Sequence, residues 1–305
     1  MKKWIRMAGS LALALGATAS GPAQMIRVTI QNLAPSSPTG LYHSPVWLGF
    51  HDGSFDLFDP GTAAGAGIEA LAELGDSSGI DAAFKAAQPS GFSTVVTNPG
   101  GPGPGIFGPG ASSSVVVSVD ALTRGYLSFG AMVVPSNDTF IANANPPSMA
   151  LFDLSGSFLG AQSWTITGAN AWDAGTEVNS PLEGAAFVAG VDAMLGTMEG
   201  GVIHGQPLDG LDNVLGLMTP AGTTIGRGLT GDPLVRISIT PVPEPSTYGL
   251  IAAAGLAAVV VWRRRRAGRR VKQFLQPFSG GRGGLGIFGR GGRGGEVGEA
   301  RASSG

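Results

Sequence analysis

The chain of 305 residues contains no cysteine. It therefore has no disulfide, no thiolate metal site and no cysteine nucleophile. Histidine is almost as scarce. His43, His51 and His204 are widely spaced and form no H-x-x-x-H pattern, which argues against zinc or copper. Only 13% of residues are charged, while 51 are glycine and 21 proline. That balance disfavours long surface helices and favours short strands joined by turns. The glycine- and proline-rich stretch 99–110 has no Gly-Lys-Ser/Thr ending, so it reads as a loop and not a phosphate cradle.

What is there is an uneven distribution of charge. The formal net charge is −2, yet residues 24–241 carry five basic and eighteen acidic side chains, a net of −13. Residues 263–305 carry eleven basic and two acidic ones, a net of +9, and residues 1–23 add three basic groups. An acidic body lies between two basic ends, and each basic end adjoins an apolar run. That arrangement points to a membrane and away from nucleic acid, because −13 repels a polyanion.

Residues 1–23 read as a secretory signal. Lys2, Lys3 and Arg6 precede a small apolar helix from Met7 to Ala17, and small residues follow. At the other end, Val242-Pro243-Glu244-Pro245-Ser246 precedes an apolar run from Tyr248 to Trp262, and Arg263, Arg264, Arg265 and Arg266 follow at once. Proline at 243 and 245 ends any preceding strand, since it cannot donate to a ladder. The apolar run has 15 residues, short of the ~20 that cross a bilayer comfortably. A membrane helix over 247–262 is expected, with Trp262 and the arginine cluster holding its end at the cytoplasmic interface.

The V-P-E-P-S run, short apolar helix and R-R-R-R cluster resemble the PEP-CTERM sorting signal of Gram-negative bacteria. The resemblance covers residues 242–266. It implies recognition at Pro243, Glu244 and Pro245 by an exosortase-type membrane protease. An inner-membrane-anchored precursor would then pass to the cell envelope or extracellular matrix. Beyond it, 267–305 contains Gly-Arg-Gly-Gly at 281–284 and a doubled repeat at 289–295. Arg-Gly-Gly repeats can bind RNA in a sequence-tolerant way. With so little hydrophobicity, however, the stretch is expected to be a disordered tail.

Between the ends, Met25 to Asn32 alternates apolar and polar residues and predicts a strand with one buried face. Val46 to Phe50 is a short apolar run closed by the turn residues His51-Asp52-Gly53. From Gly67 to Ala87 the period becomes helical, in two pieces. Ser114–Val119, Tyr126–Val134, Ser163–Thr167 and Leu234–Thr240 are rich in β-branched and aromatic residues. One helical excursion among many short strands predicts a single mainly β domain over 24–241, an antiparallel β-sandwich with a short helical insertion.

Two clusters of oxygen-bearing residues are candidates for chemistry. Val134-Pro135-Ser136-Asn137-Asp138 ends a strong strand. Trp172-Asp173-Ala174-Gly175-Thr176-Glu177 sets two carboxylates four residues apart around a glycine turn. Carboxylates and carbonyls on loops at a sandwich end can surround Ca²⁺, which takes 6–8 oxygens in irregular geometry, although such a pattern is also that of a solvated turn.

Residues 25–240 resemble a bacterial spondin domain. The resemblance is carried by Gln31-Asn32-Leu33, Ser44-Pro45, Leu71-Ala72-Glu73-Leu74-Gly75-Asp76, Met132-Val133-Val134-Pro135-Ser136-Asn137-Asp138 and Trp172-Asp173-Ala174-Gly175-Thr176-Glu177. It implies a C2-like antiparallel β-sandwich that binds Ca²⁺ through Asp138, Asp173 and Glu177. Glu177 stands where the family usually has Asp, one methylene longer. Thr139 stands where an aromatic usually follows, a position that concerns packing or a surface contact and not the ion. The functional expectation is a non-enzymatic surface or matrix domain, serving adhesion or association with exopolysaccharide in a biofilm matrix. The alternative is a secreted polysaccharide-acting hydrolase using Asp173 and Glu177, since glycosidases need two carboxylates facing each other across the bond. A metal role would leave neither free to donate a proton.

Overall fold

The computed structural model describes residues 23–144, 149–207, 210–243 and 245–274. The signal expected over 1–23 and the tail from 275 lie outside the described residues, apart from Ala23.

The alternation of the first segment becomes β1 (Gln24–Asn32), whose Ile26, Val28 and Ile30 are wholly buried on one face. It pairs antiparallel with β5 (Ser112–Val119) on one side and β11 (Pro233–Pro241) on the other. β8 (Gln162–Thr167) completes a four-stranded sheet in the order β5-β1-β11-β8. β11 ends at Pro241, and the Val242 amide still donates to Met25 O at 2.8 Å, so the domain's chain enters and leaves at one point.

A second antiparallel sheet runs β10 (His204–Gly205), β9 (Ala171–Asp173), β7 (Thr139–Ala142), β6 (Tyr126–Val134), β3 (Val46–His51) and β4 (Phe92–Val96). The two-residue strand β2 (Tyr42–His43) pairs with the end of β6. Ile26, Val28, Val235 and Ile237 of the first sheet share one apolar cluster with Leu48, Phe50, Phe129 and Ile141 of the second. Two antiparallel sheets packed face to face make a sandwich, as the strand pattern predicts.

The helical excursion forms α1 (Ala66–Leu74) and α2 (Ser78–Ala87). Their Ile68, Leu71, Ile80 and Phe84 pack on Trp47 and Phe140 from the outer face of the second sheet. This third layer explains why the sequence of β3 does not alternate. Trp47 faces the helices and Leu48 the sandwich interior, so every residue of the strand is buried. Gly130 on β6 serves the same contact, because a Cβ there would lie 2.9 Å from Leu71 Cδ2.

Residues from Pro245 form a separate unit whose described part is a single helix, α3 (Pro245–Phe274). Two expectations are corrected here. The membrane helix expected over 247–262 is part of a longer helix, and among the described residues no helix is long and apolar enough to cross a membrane. Fifteen apolar residues rise only ~22 Å, against a hydrocarbon core of ~30 Å. Residues 267–274, expected within the disordered tail, continue the helix past the arginine cluster.

Candidate functional site

The pairing of β7 with β9 sets Thr139 opposite Asp173, and the pairing of β9 with β10 sets Asp173 opposite His204. This register brings together two acids that are 35 positions apart in the chain. Asp138 enters from the turn between β6 and β7, Asp173 from the end of β9, and both are almost fully buried, at 0% and 1% exposure. Gly175 makes the following turn possible. Its φ is +67°, and a Cβ there would meet Val202 O at 2.6 Å.

The turn wraps its backbone around Asp138. Asp138 Oδ2 accepts the amides of Thr176 at 2.8 Å and Glu177 at 3.1 Å, and the Thr176 hydroxyl at 3.2 Å. Asp138 Oδ1 is buried and accepts nothing among the described residues. Asp173 Oδ1 accepts the Gly175 amide at 2.8 Å and Oδ2 accepts Asn179 Nδ2 at 3.0 Å. His204 Nε2 stands 3.7 Å from Asp173 Oδ1. The Glu177 carboxylate is 6% exposed and turns towards Asn137 Nδ2 at 3.5 Å. A Cβ on either Gly184 or Gly196 would collide with that carboxylate, so two loop glycines form its cradle. The sequence clusters therefore do converge, with Glu177 joined to Asp138 through its backbone amide.

The electrostatics follow from burial and like charge. Asp138 is pushed up to about 6, first by loss of water and then by the adjacent Asp173 charge, against the lowering effect of its three hydrogen bonds. Glu177 is pushed up to about 7, first by burial and next by Glu73, with Asp138 and Glu183 adding to it. Burial likewise raises Glu73 on α1, which lies near Thr176. A patch of acids with a single histidine nearby asks for positive charge.

Among the described residues, no three His, Cys, Asp or Glu side chains gather closely enough to make a metal cluster by themselves. The donor chemistry nevertheless fits a hard cation. Asp138 and Asp173 are adjacent, all their donors are oxygen, and the lone pairs of Asp138 Oδ1 are unmet. Thr139 is wholly buried with its hydroxyl unpaired, so it serves packing and makes no surface contact. His204, Asn179, Glu73, Gly184 and Gly196 were not singled out from the sequence as site residues. Their roles depend on strand register and loop closure over distances that leave no local signal.

In the sorting segment, Pro243 is exposed, Glu244 lies outside the described residues, and Pro245 opens α3. A proline suits the first helical position, where its missing N–H would have no partner anyway. Arg263 to Arg266 lie exposed on the helix, and the Arg266 guanidinium sits 4.1 Å over the Trp262 ring. Residues 241–266 match the PEP-CTERM protein-sorting motif. Such a motif marks a precursor for export through an exosortase system, whose processing enzyme is a membrane protease. The match covers the sorting segment and does not extend over 24–240, where the spondin resemblance rests on residues alone. No curated protein matches the chain.

Proposed function

We propose that residues 24–241 form a spondin-like, C2-like sandwich that binds Ca²⁺ and has no enzymatic activity. The domain is carried to the cell envelope or extracellular matrix, where it serves adhesion or association with exopolysaccharide. The observation that carries this reading is the adjacency of Asp138 and Asp173, both buried, with Asp138 Oδ1 unpaired. Asp138 and Asp173 are the adjacent carboxylates that would hold the ion, and Glu177, whose carboxylate turns towards Asn137, would have to swing in to join them. A bound cation would supply the positive charge that these buried acids lack.

A hydrolase would draw on the same carboxyls. Burial speaks against it, since a polymer chain cannot reach side chains at 0%, 1% and 6% exposure. The test is thermal unfolding of the full-length chain with and without Ca²⁺. An ion that binds only the folded state stabilises it by about 2.7 kcal/mol at a hundredfold excess over Kd. Tm should rise with Ca²⁺, and Asp173→Ala should remove the increment. No rise in the wild-type chain would overturn the calcium reading.

A further inference from the structure

A second site lies away from the carboxylates, where the edge strand β8 faces β9 and β7. The cleft has a volume of about 500 Å³ and is lined by Trp164, Trp172, Phe129, Met149, Asn143 and Asn170 among others. That size falls in the range of small-molecule sites. Among the described residues, no Asp, Glu, Lys or Arg lines it.

Both tryptophans are half-buried, so each keeps ring surface in the cleft. Trp172 is fixed. Its indole N–H donates to Ala142 O at 3.3 Å, and its ring meets the edge of Phe58 at 5.3 Å. It presents apolar surface with its polar atom already used. Trp164 sits opposite Ile237 in the β8–β11 pairing and packs on the sandwich core. Its indole N–H makes no hydrogen bond among the described residues and remains a free donor.

Among the described residues, the polar groups of the cleft are uncharged. Asn143 is committed to the scaffold, accepting the Phe129 amide at 2.8 Å and donating to Leu127 O at 3.3 Å. Exposed Asn170 uses its Oδ1 on the Thr167 amide and hydroxyl, each at 3.0 Å, which leaves its NH₂ facing outwards as a donor.

We propose that this cleft binds a neutral hexose unit of an extracellular polysaccharide, with Trp172 as the stacking platform and Trp164 and Asn170 as donors. A hexose has an apolar C–H face that suits a rigid indole, and hydroxyls around its edge that suit neutral donors and acceptors. A purely aliphatic ligand would leave the rim unpaired on burial, which is costly. An acidic sugar would find no countercharge here, in a body of net −13. The inference extends the matrix-association reading above and rests on it for the presence of polysaccharide.

The test is isothermal titration of the full-length chain, in excess Ca²⁺, with cellohexaose, laminarihexaose and mannohexaose, and with an alginate hexamer as the acidic comparison. At least one neutral hexamer should bind, and Trp164→Ala should weaken it about tenfold, the weight of a buried donor and its ring contact. Trp164→Phe, which keeps an aromatic ring against the core but removes the N–H together with the fused second ring, should also weaken binding. Failure of all three neutral hexamers, stronger binding of alginate, or affinity untouched by both Trp164 variants would each overturn the site. The Ca²⁺-induced shift in Tm reads the carboxylates independently. A chain that shifts with Ca²⁺ and binds no neutral sugar defeats this cleft alone, and one that binds sugar without a shift defeats the calcium reading alone.

Discussion

Asp138 Oδ2 accepts the Glu177 amide at 3.1 Å while Asp138 Oδ1, wholly buried, accepts nothing among the described residues. One half of the carboxylate organises the loop and the other half is left over. If the loop alone required Asp138, a neutral side chain that still accepts those amides would serve as well.

Asp138→Asn should therefore separate the two roles. In EDTA it should be as stable as the wild type or more so, by up to about 1 kcal/mol, because a buried charge beside Asp173 is removed. With Ca²⁺ it should gain nothing. Urea denaturation in both conditions checks this, and a variant that still responds to Ca²⁺ would remove Asp138 from the ion site.

The Ca²⁺ increment should depend on pH. Asp138 and Glu177 have folded values raised to about 6 and about 7, above their ordinary 3.8 and 4.5. Between those limits the folded state holds more protons than the unfolded one, so stability without the ion falls as pH rises through that window. Ca²⁺ needs the ionised carboxylates, so ΔTm should be small near pH 5 and reach its full size above pH 7. An increment that is flat across this range would contradict the carboxylate assignment.

A separate acid-sensitive component comes from two buried histidines. His43 and His51 are both lowered to about 4 by burial, below the ordinary 6.5. The unfolded chain binds the extra proton first, so stability drops as pH falls from about 6.5 towards 4. His51 Nδ1 accepts the Gly53 amide at 3.0 Å, leaving Nε2 to donate to Ser128, so protonation breaks a backbone contact. With saturating Ca²⁺ present, His51→Gln should reduce the slope of urea midpoint against pH in that interval.

The helical layer can be tested through Phe84, which is 1% exposed and meets Trp47 and Phe55 edge-on at 5.3 and 4.9 Å. Phe84→Ala should cost about 3–5 kcal/mol in urea denaturation. Leu182→Ser, at an 82% exposed loop position, should stay within about 0.5 kcal/mol. A small loss at Phe84 would mean that the helices are not integral to the domain.

Processing can be read by mass spectrometry of the envelope-associated protein. A C-terminus near Pro243–Pro245 is expected, and because β11 ends at Pro241 the cut removes no strand. A mature chain that retains the arginine cluster would contradict cleavage.

The long strands were legible in the sequence because their composition spoke for each alone. Tyr126–Val134 has the same limits in both readings, and β1 differs by one residue. β7 and β9, with four and three residues, are too short to display a period, yet their pairing is what joins Asp138 to Asp173. The acids stood out as two oxygen-bearing clusters, the spondin resemblance joined them into one ligand set, and their meeting was not deducible from spacing. Gly184 and Gly196 sit in irregular loops where glycine is common, so nothing local marked them as the cradle of Glu177. The Trp164–Trp172 cleft was invisible for the same reason, since its walls belong to different sheets.

The closing bond between Val242 and Met25 also decides how the domain carries force. β1 and β11 are antiparallel neighbours whose outer ends lie together. Pulling the two flanks apart would open their ladder one rung at a time, like a zip, because the bonds run across the strands. A domain held only by its C-terminal flank and by a ligand elsewhere on its body meets a different load. There β11, clamped between β1 and β8, would have to slide against both neighbours at once. Loss of the N-terminal flank before anchoring would convert the fold from a zip into a shear joint.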